Sequence, residues 1–291
     1  MNPVHEIGLL AARELRRGIR SAKGIALGAL TLLGAFVASL VCVWIEGADR
    51  AKVSAESTQA YVEIKRQLLE QATGDAKFAA YLASIPTSLL IFLKITVWLS
   101  PLLVALLGFD AVSGELQHRT VRFWTVRSRR WSYLAGKFVG LWVLVGAVTL
   151  ALNVLAGSVA LARGYVTPGE LLRWGARAWF VAFCISGAWA AVATFISSCF
   201  RTPILALLTT FAAFFVSWIA GAGGFVSRQR QALDAGIAPH MAWYEYAYPN
   251  AYDTLLLSPE TTKVLTALGI LVGFMAITLA AGSFVFERRD I

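Results

Sequence analysis

The densest grouping of polar chemistry in the chain falls between residues 110 and 137. There Asp110, Ser113, Gly114, Glu115, Arg119, Thr120, Arg129 and Lys137 are gathered within 28 residues. If Glu115 and Arg119 share a helix, their i, i+4 spacing makes them partners. Asp110 and Glu115 could equally pair with Arg129 or Arg130 across the loop. Such an arrangement suits ion pairing and docking. It holds no nucleophile-elbow or metal-ligand spacing.

The three histidines, His5, His118 and His240, are far apart, and no His-Glu-x-x-His or other metal-ligand spacing occurs. The three cysteines, Cys42, Cys184 and Cys199, stand singly inside apolar runs and read as small hydrophobes. No Gly-x-Ser-x-Gly elbow is present, and no carboxylate pair lies inside an apolar run. The Gly136-Lys137 step lacks the upstream glycine and the following Ser or Thr of a phosphate loop, so ATP hydrolysis by that mechanism is excluded for this chain alone. One ionisable residue, Lys94, interrupts an otherwise apolar run. It either snorkels to the interface or lines a translocation path.

The elements that must position these residues are set by composition. Of the 291 residues, 58% are hydrophobic and 15% charged, which assigns most of the chain to lipid. Intervals 24–45, 138–162, 178–200, 202–227 and 264–286 lack Asp, Glu, Lys and Arg, and each is 22 to 26 residues long. About 20 apolar residues cross roughly 30 Å of hydrocarbon as a helix. With 86–109, broken only by Lys94, the expectation is an all-α polytopic protein of six transmembrane helices. Helices rather than a barrel follow from the lack of alternation.

Orientation follows the Lys and Arg bias of the connecting segments. Residues 1–23, 110–137, Arg201 and the tail carry fourteen cations, whereas the longer segments on the other side carry eleven. Both termini are therefore expected in the cytoplasm, with 46–85 and 228–262 outside. The net charge of +9 is read as topology and attraction to anionic lipid, not as nucleic-acid binding. The first apolar run is too long, and starts too far in, for a cleaved signal peptide.

Residues 1–23 put Ile7, Leu10, Leu15 and Ile19 near one helical face, as expected for an interfacial amphipathic helix. Segment 46–85 has Tyr61, Ile64, Leu68 and Leu69 at helical spacing and reads as a short helix or helical hairpin. The run Trp243–Tyr252 is rich in aromatics with polar edges, which favour the outer head-group layer. Gly-x-x-x-Gly pairs occur at 24/28, 136/140 and 269/273. With 24 glycines in the chain, roughly two such pairs arise by chance, so they carry no weight as packing motifs.

Taken together, Asp110-x-x-Ser113-Gly114-Glu115 leaving the second span, Thr120, the Ser128-Arg129 step and Lys137 at the third span resemble the signature of ABC-2 type ABC transporter permeases. In that family a Gly often precedes the Thr, where this chain has Arg119, and a Pro often precedes the Ser-Arg step. The ending Phe286-Glu287-Arg288-Arg289-Asp290-Ile291 is similar to the family's short basic tail. The resemblance implies a permease subunit, catalytically inactive itself, whose loop 110–137 is a cytoplasmic coupling helix docking in a cleft of a separate ABC ATP-binding subunit. ATP and Mg would be bound there, with no cofactor or metal on this chain. It further implies pairing as a homodimer or with a similar permease, a bacterial inner-membrane location and, most often, export. Trp98, Trp142, Trp179, Trp189 and Trp218 would suit an amphipathic substrate. A self-contained secondary transporter or channel, with Lys94 as its gate, is the alternative.

Overall fold

A computed structural model describes residues 2–51, 58–73, 75–125, 128–235 and 243–289. Among them the secondary structure is entirely helical, and six helices are long and apolar enough to cross a membrane. In chain order the elements are α1 (Pro3–Arg20), α2 (Ala22–Ala51), α3 (Thr58–Thr73), α4 (Ala76–Ala83), α5 (Thr87–Gly108), α6 (Ser113–Gln117), α7 (Val121–Thr125), α8 (Arg130–Ala162), α9 (Pro168–Cys199), α10 (Pro203–Ala235), α11 (Asp253–Leu257) and α12 (Thr261–Glu287). The spanning helices are α2, α5, α8, α9, α10 and α12.

Several helices run well past the charge-free intervals. α8 begins at Arg130 and α9 at Pro168, eight and ten residues before the intervals 138–162 and 178–200. Loss of charge marks the hydrocarbon, whereas helix length is set by caps. α9 starts at a capping box in which Glu170 N–H donates to Thr167 Oγ1 (3.3 Å) and Thr167 N–H to Glu170 Oε2 (2.9 Å), with Pro168 at the first helical position. Asn2 caps α1 by accepting from Val4 N–H (3.1 Å). Asp75 caps α4, and the Phe78 and Lys77 amides hold its carboxyl below the usual carboxylate range.

α9 is the central and most enclosed span, while α2, α10 and α12 leave most of their apolar surface uncovered. Its inner stretch is small: Ala182, Gly187, Ala188, Ala190, Ala191, Ala193 and Ser197 are all buried, so neighbouring backbones approach closely. α5, α8 and α12 pack around it. Trp142 and Trp179 bond to the Phe183 and Gly146 carbonyls (2.9 and 3.0 Å), and Trp142 stacks on Phe183. Both tryptophans take part in packing α8 against α9.

α3 and α4 form the helical hairpin expected in 46–85, of which residues 52–57 and 74 lie outside the described set. It sits over the ends of α5 and α9 remote from α1: Phe78 and Leu82 are buried and Tyr81 meets Trp174 edge-on. The aromatic run near residue 250 dips into the protein. Two 3-10 turns, Trp243–Ala247 and Pro249–Tyr252, and α11 fold back into the bundle, with Tyr252, Leu256 and Leu257 buried. Asn250 reaches the Val97 carbonyl (3.0 Å), ten residues into α5 or about 15 Å along its axis. Of the preceding segment, 236–242, including His240, lies outside the described residues.

Candidate functional site

At the end of the bundle that carries α1, the loop between the second and third spans folds into two five-residue helices, α6 and α7. Their junction is Arg119, with φ +56°, a left-handed conformation that costs a side chain about 1–2 kcal/mol and glycine almost nothing. Thr120 N–H then closes onto the Glu115 carbonyl (3.0 Å).

The base of this element is fixed from three sides. Ser197, near the end of α9, accepts from the Val112 and Ser113 amides (3.1 and 3.0 Å) and donates to the Phe109 carbonyl (2.8 Å). Asp110 pairs with Lys23 at the start of α2 (2.6 Å). Glu115, 5% exposed, is the centre of a larger network. Lys137 on α8 donates to it (2.7 Å) and to Glu14 on α1 (2.5 Å), and Tyr133 donates through its hydroxyl (2.8 Å). Arg17 and Arg13 on α1 approach the same carboxylate at 3.3 and 3.6 Å. Arg13 also lies over the Trp124 ring of α7 (3.7 Å to the centroid). Lys137 is itself 1% exposed; it offsets one of the two carboxylate charges it touches, and Arg13 and Arg17 supply further positive charge at Glu115.

This geometry corrects the expected pairings. Glu115 and Arg119 are not partners: α6 ends at Gln117, and Arg119 turns out to the surface. Arg129 and Arg130 do not pair with Asp110 or Glu115. The Arg129 side chain is exposed while its backbone N–H meets Glu6 (3.5 Å), and Arg130 donates to the Glu287 and Arg289 carbonyls (2.7 and 3.1 Å). The tail joins the assembly in this way, with Phe286 stacked on Tyr133 and Arg289 donating to the Cys199 carbonyl. Asp290 and Ile291 lie outside the described residues.

Glu14, Arg13, Arg17, Tyr133 and Ser197 are partners that loop spacing could not reveal. The Gly136/Gly140 spacing does carry a packing role: the two glycines face Leu10 and Glu14 so closely that an added Cβ would meet their Cβ atoms at 2.5 and 2.6 Å. These two glycines seat α1 on α8. The protein-facing side of α1 is thus Glu6, Leu10 and Glu14, while Val4, Leu9 and Ile19 are exposed. An open cavity of about 390 Å³ lies at the element, lined in part by Arg13, Arg17, Glu115, His118 and Thr120. Beyond it Arg119, Arg122 and Phe123 project, Phe123 being 74% exposed.

Lys94 stands apart from this site. It pairs with Asp253 at the start of α11 (2.5 Å) and borders a second cavity, also about 390 Å³, with Val97, Trp98, Tyr248 and Asn250.

An all-helical bundle with six long apolar helices, carrying a short polar element clamped at one end, defines a multi-pass membrane protein. The chain belongs to the ABC-2 family of transporter proteins, whose family model matches residues 9–291. No curated protein matches it.

Proposed function

We propose that the chain is the permease subunit of an ABC transporter, driven by a separate ATP-binding subunit that docks on the α6–α7 element. The observation that carries this reading is the division of that element into a fixed base and an exposed tip. A force applied at Arg119, Arg122 and Phe123 passes through Glu115 and Asp110 to α1, α8 and α2, and directly along the chain into α5. An engine moves membrane helices only through an element that cannot yield locally, and the buried Glu115–Lys137–Glu14 network supplies that stiffness.

In this reading ATP and Mg act on the partner, and this subunit performs no hydrolysis. The α1 end and both termini face the cytoplasm of a bacterial cell, the α3–α4 hairpin faces outward, and the direction is export. The uncovered apolar faces of α2, α10 and α12 meet lipid or a second permease chain.

The test is affinity purification of the tagged protein in mild detergent, followed by mass spectrometry and an ATPase assay. A P-loop ATPase should co-purify with the wild type and be lost from a folded Arg119→Glu, Phe123→Asp variant. If the wild type carries no ATPase after a complex-preserving extraction, the permease reading fails and a stand-alone transporter gated at Lys94 replaces it.

A further inference from the structure

We infer that the cavity between α5 and the folded-back segment 243–257 is a binding site for amphipathic molecules with an anionic head, a carboxylate or phosphate on an apolar tail. Its role as the transported class rests on the permease reading; the binding itself does not.

Three observations carry it. First, the cavity is walled by Val97, Trp98 and Tyr248 and is almost wholly apolar apart from its ion pair and Asn250. Apolar walls with a few convergent polar groups are what small-molecule sites offer. Secondly, the two members of the ion pair are not equally placed. Asp253 is mostly covered, at 17% side-chain exposure, whereas Lys94 is at 46%. An entering ligand therefore meets the ammonium. Of its three N–H donors, one is directed at Asp253, which leaves donors for an anionic oxygen.

Thirdly, the position along the span suits a head group. Lys94 lies near one end of α5, seven residues or about 10 Å from its first residue, where a long cationic side chain can reach toward the interface. Asn250 is engaged on both sides, accepting from Trp189 Nε1 (2.7 Å) and donating to the Val97 carbonyl (3.0 Å), so it shapes the wall and does not compete for the head. Trp98, 48% exposed and edge-on to Trp218 of α10, continues the apolar surface for the tail.

The pair also fixes the sign of the test. Removing the Asp253 charge frees Lys94 and strengthens an anion's hold, while for a cationic ligand the same change removes its counter-charge. The purified protein, without nucleotide or partner, is titrated with a brominated long-chain carboxylate, a brominated alkyl phosphate, a matched brominated alkyl trimethylammonium and inorganic phosphate. Tryptophan quenching reports tail contact, and competition reports phosphate.

Saturable quenching by both anionic amphipaths is expected, smaller in Trp98→Phe and not competed by inorganic phosphate at equal concentration. Lys94→Gln should weaken binding at least about tenfold, Lys94→Arg should retain it, and Asp253→Asn should tighten it. Stronger binding of the trimethylammonium, or weaker anion binding in a folded Asp253→Asn protein, overturns the inference. If Lys94→Gln does not fold, Lys94→Arg and Asp253→Asn decide it. Because no ATPase is present, the result stands apart from the outcome of the co-purification.

Discussion

Asn250 Nδ2 donates to the carbonyl of Val97, 3.0 Å away across the chain fold. That carbonyl lacks its helical partner because the residue four positions on is Pro101, which has no N–H. Ser100 Oγ shares it at 2.9 Å, and Trp189 Nε1 completes Asn250 from the other side (2.7 Å). A proline in the second span and an asparagine between the fifth and sixth are thus one structural unit, joined through a backbone oxygen at membrane depth.

Asn250→Ala leaves the Trp189 N–H unpaired and the Val97 oxygen with only Ser100. Hydrogen bonds between membrane helices average about 0.6 kcal/mol, and orphaning a buried donor costs about 1–3 kcal/mol. The orphaned indole should dominate, so a loss of about 1–2 kcal/mol is expected as a lowered thermal midpoint in detergent. Pro101→Ala restores the helical N–H and should reduce the cost of Asn250→Ala in a double-mutant cycle; additivity of the two changes would contradict the link.

Lys137→Met removes the ammonium that hydrogen-bonds to both Glu115 and Glu14. Breaking a buried ionic group from one side costs about 3–5 kcal/mol. Arg17 and Tyr133 still contact Glu115, so about 2–3 kcal/mol is expected. The triple change Lys137→Met, Glu115→Leu, Glu14→Leu should regain much of that stability, measured by thermal unfolding, while losing ATPase coupling.

Gly136→Leu or Gly140→Leu should lift α1 off α8, since a Cβ alone meets Leu10 and Glu14 at about 2.5 Å. The readout is limited proteolysis of residues 1–20, protected in the wild type and cut in either variant. Equivalent changes at Gly269 or Gly273 should leave proteolysis unaltered, because no described atom lies within 4 Å of a Cβ there.

Arg119→Gly should raise stability by up to about 1 kcal/mol by relieving the left-handed residue. Its thermal midpoint should exceed that of Arg119→Ala, which keeps the strain. Equal midpoints would mean that the φ of +56° carries no cost.

The six spans were legible in the sequence because lipid allows no other solution: a charge-free run of that length must be a helix, and its polar ends show where it leaves the hydrocarbon. The signature from Asp110 to Lys137 was legible too, as a list of residue types. Even the Arg119 departure has its physical meaning in that list, since the family's glycine fits a position that the fold holds in the left-handed region.

Which residues those types would meet was decided by tertiary structure. Glu115 chose Lys137, 22 residues away, and Arg17, 98 residues away, over Arg119, four residues on. The i, i+4 rule holds only while a helix continues, and α6 stops after five residues. The glycine pair that matters was also chosen by packing: of three equal spacings, 136/140 alone brings the α1 helix against α8. Pro101 leaves the Val97 carbonyl without its helical donor, and the distant Asn250 meets it beside the local Ser100; local pattern carries no record of a hydrogen bond made across 153 positions of chain.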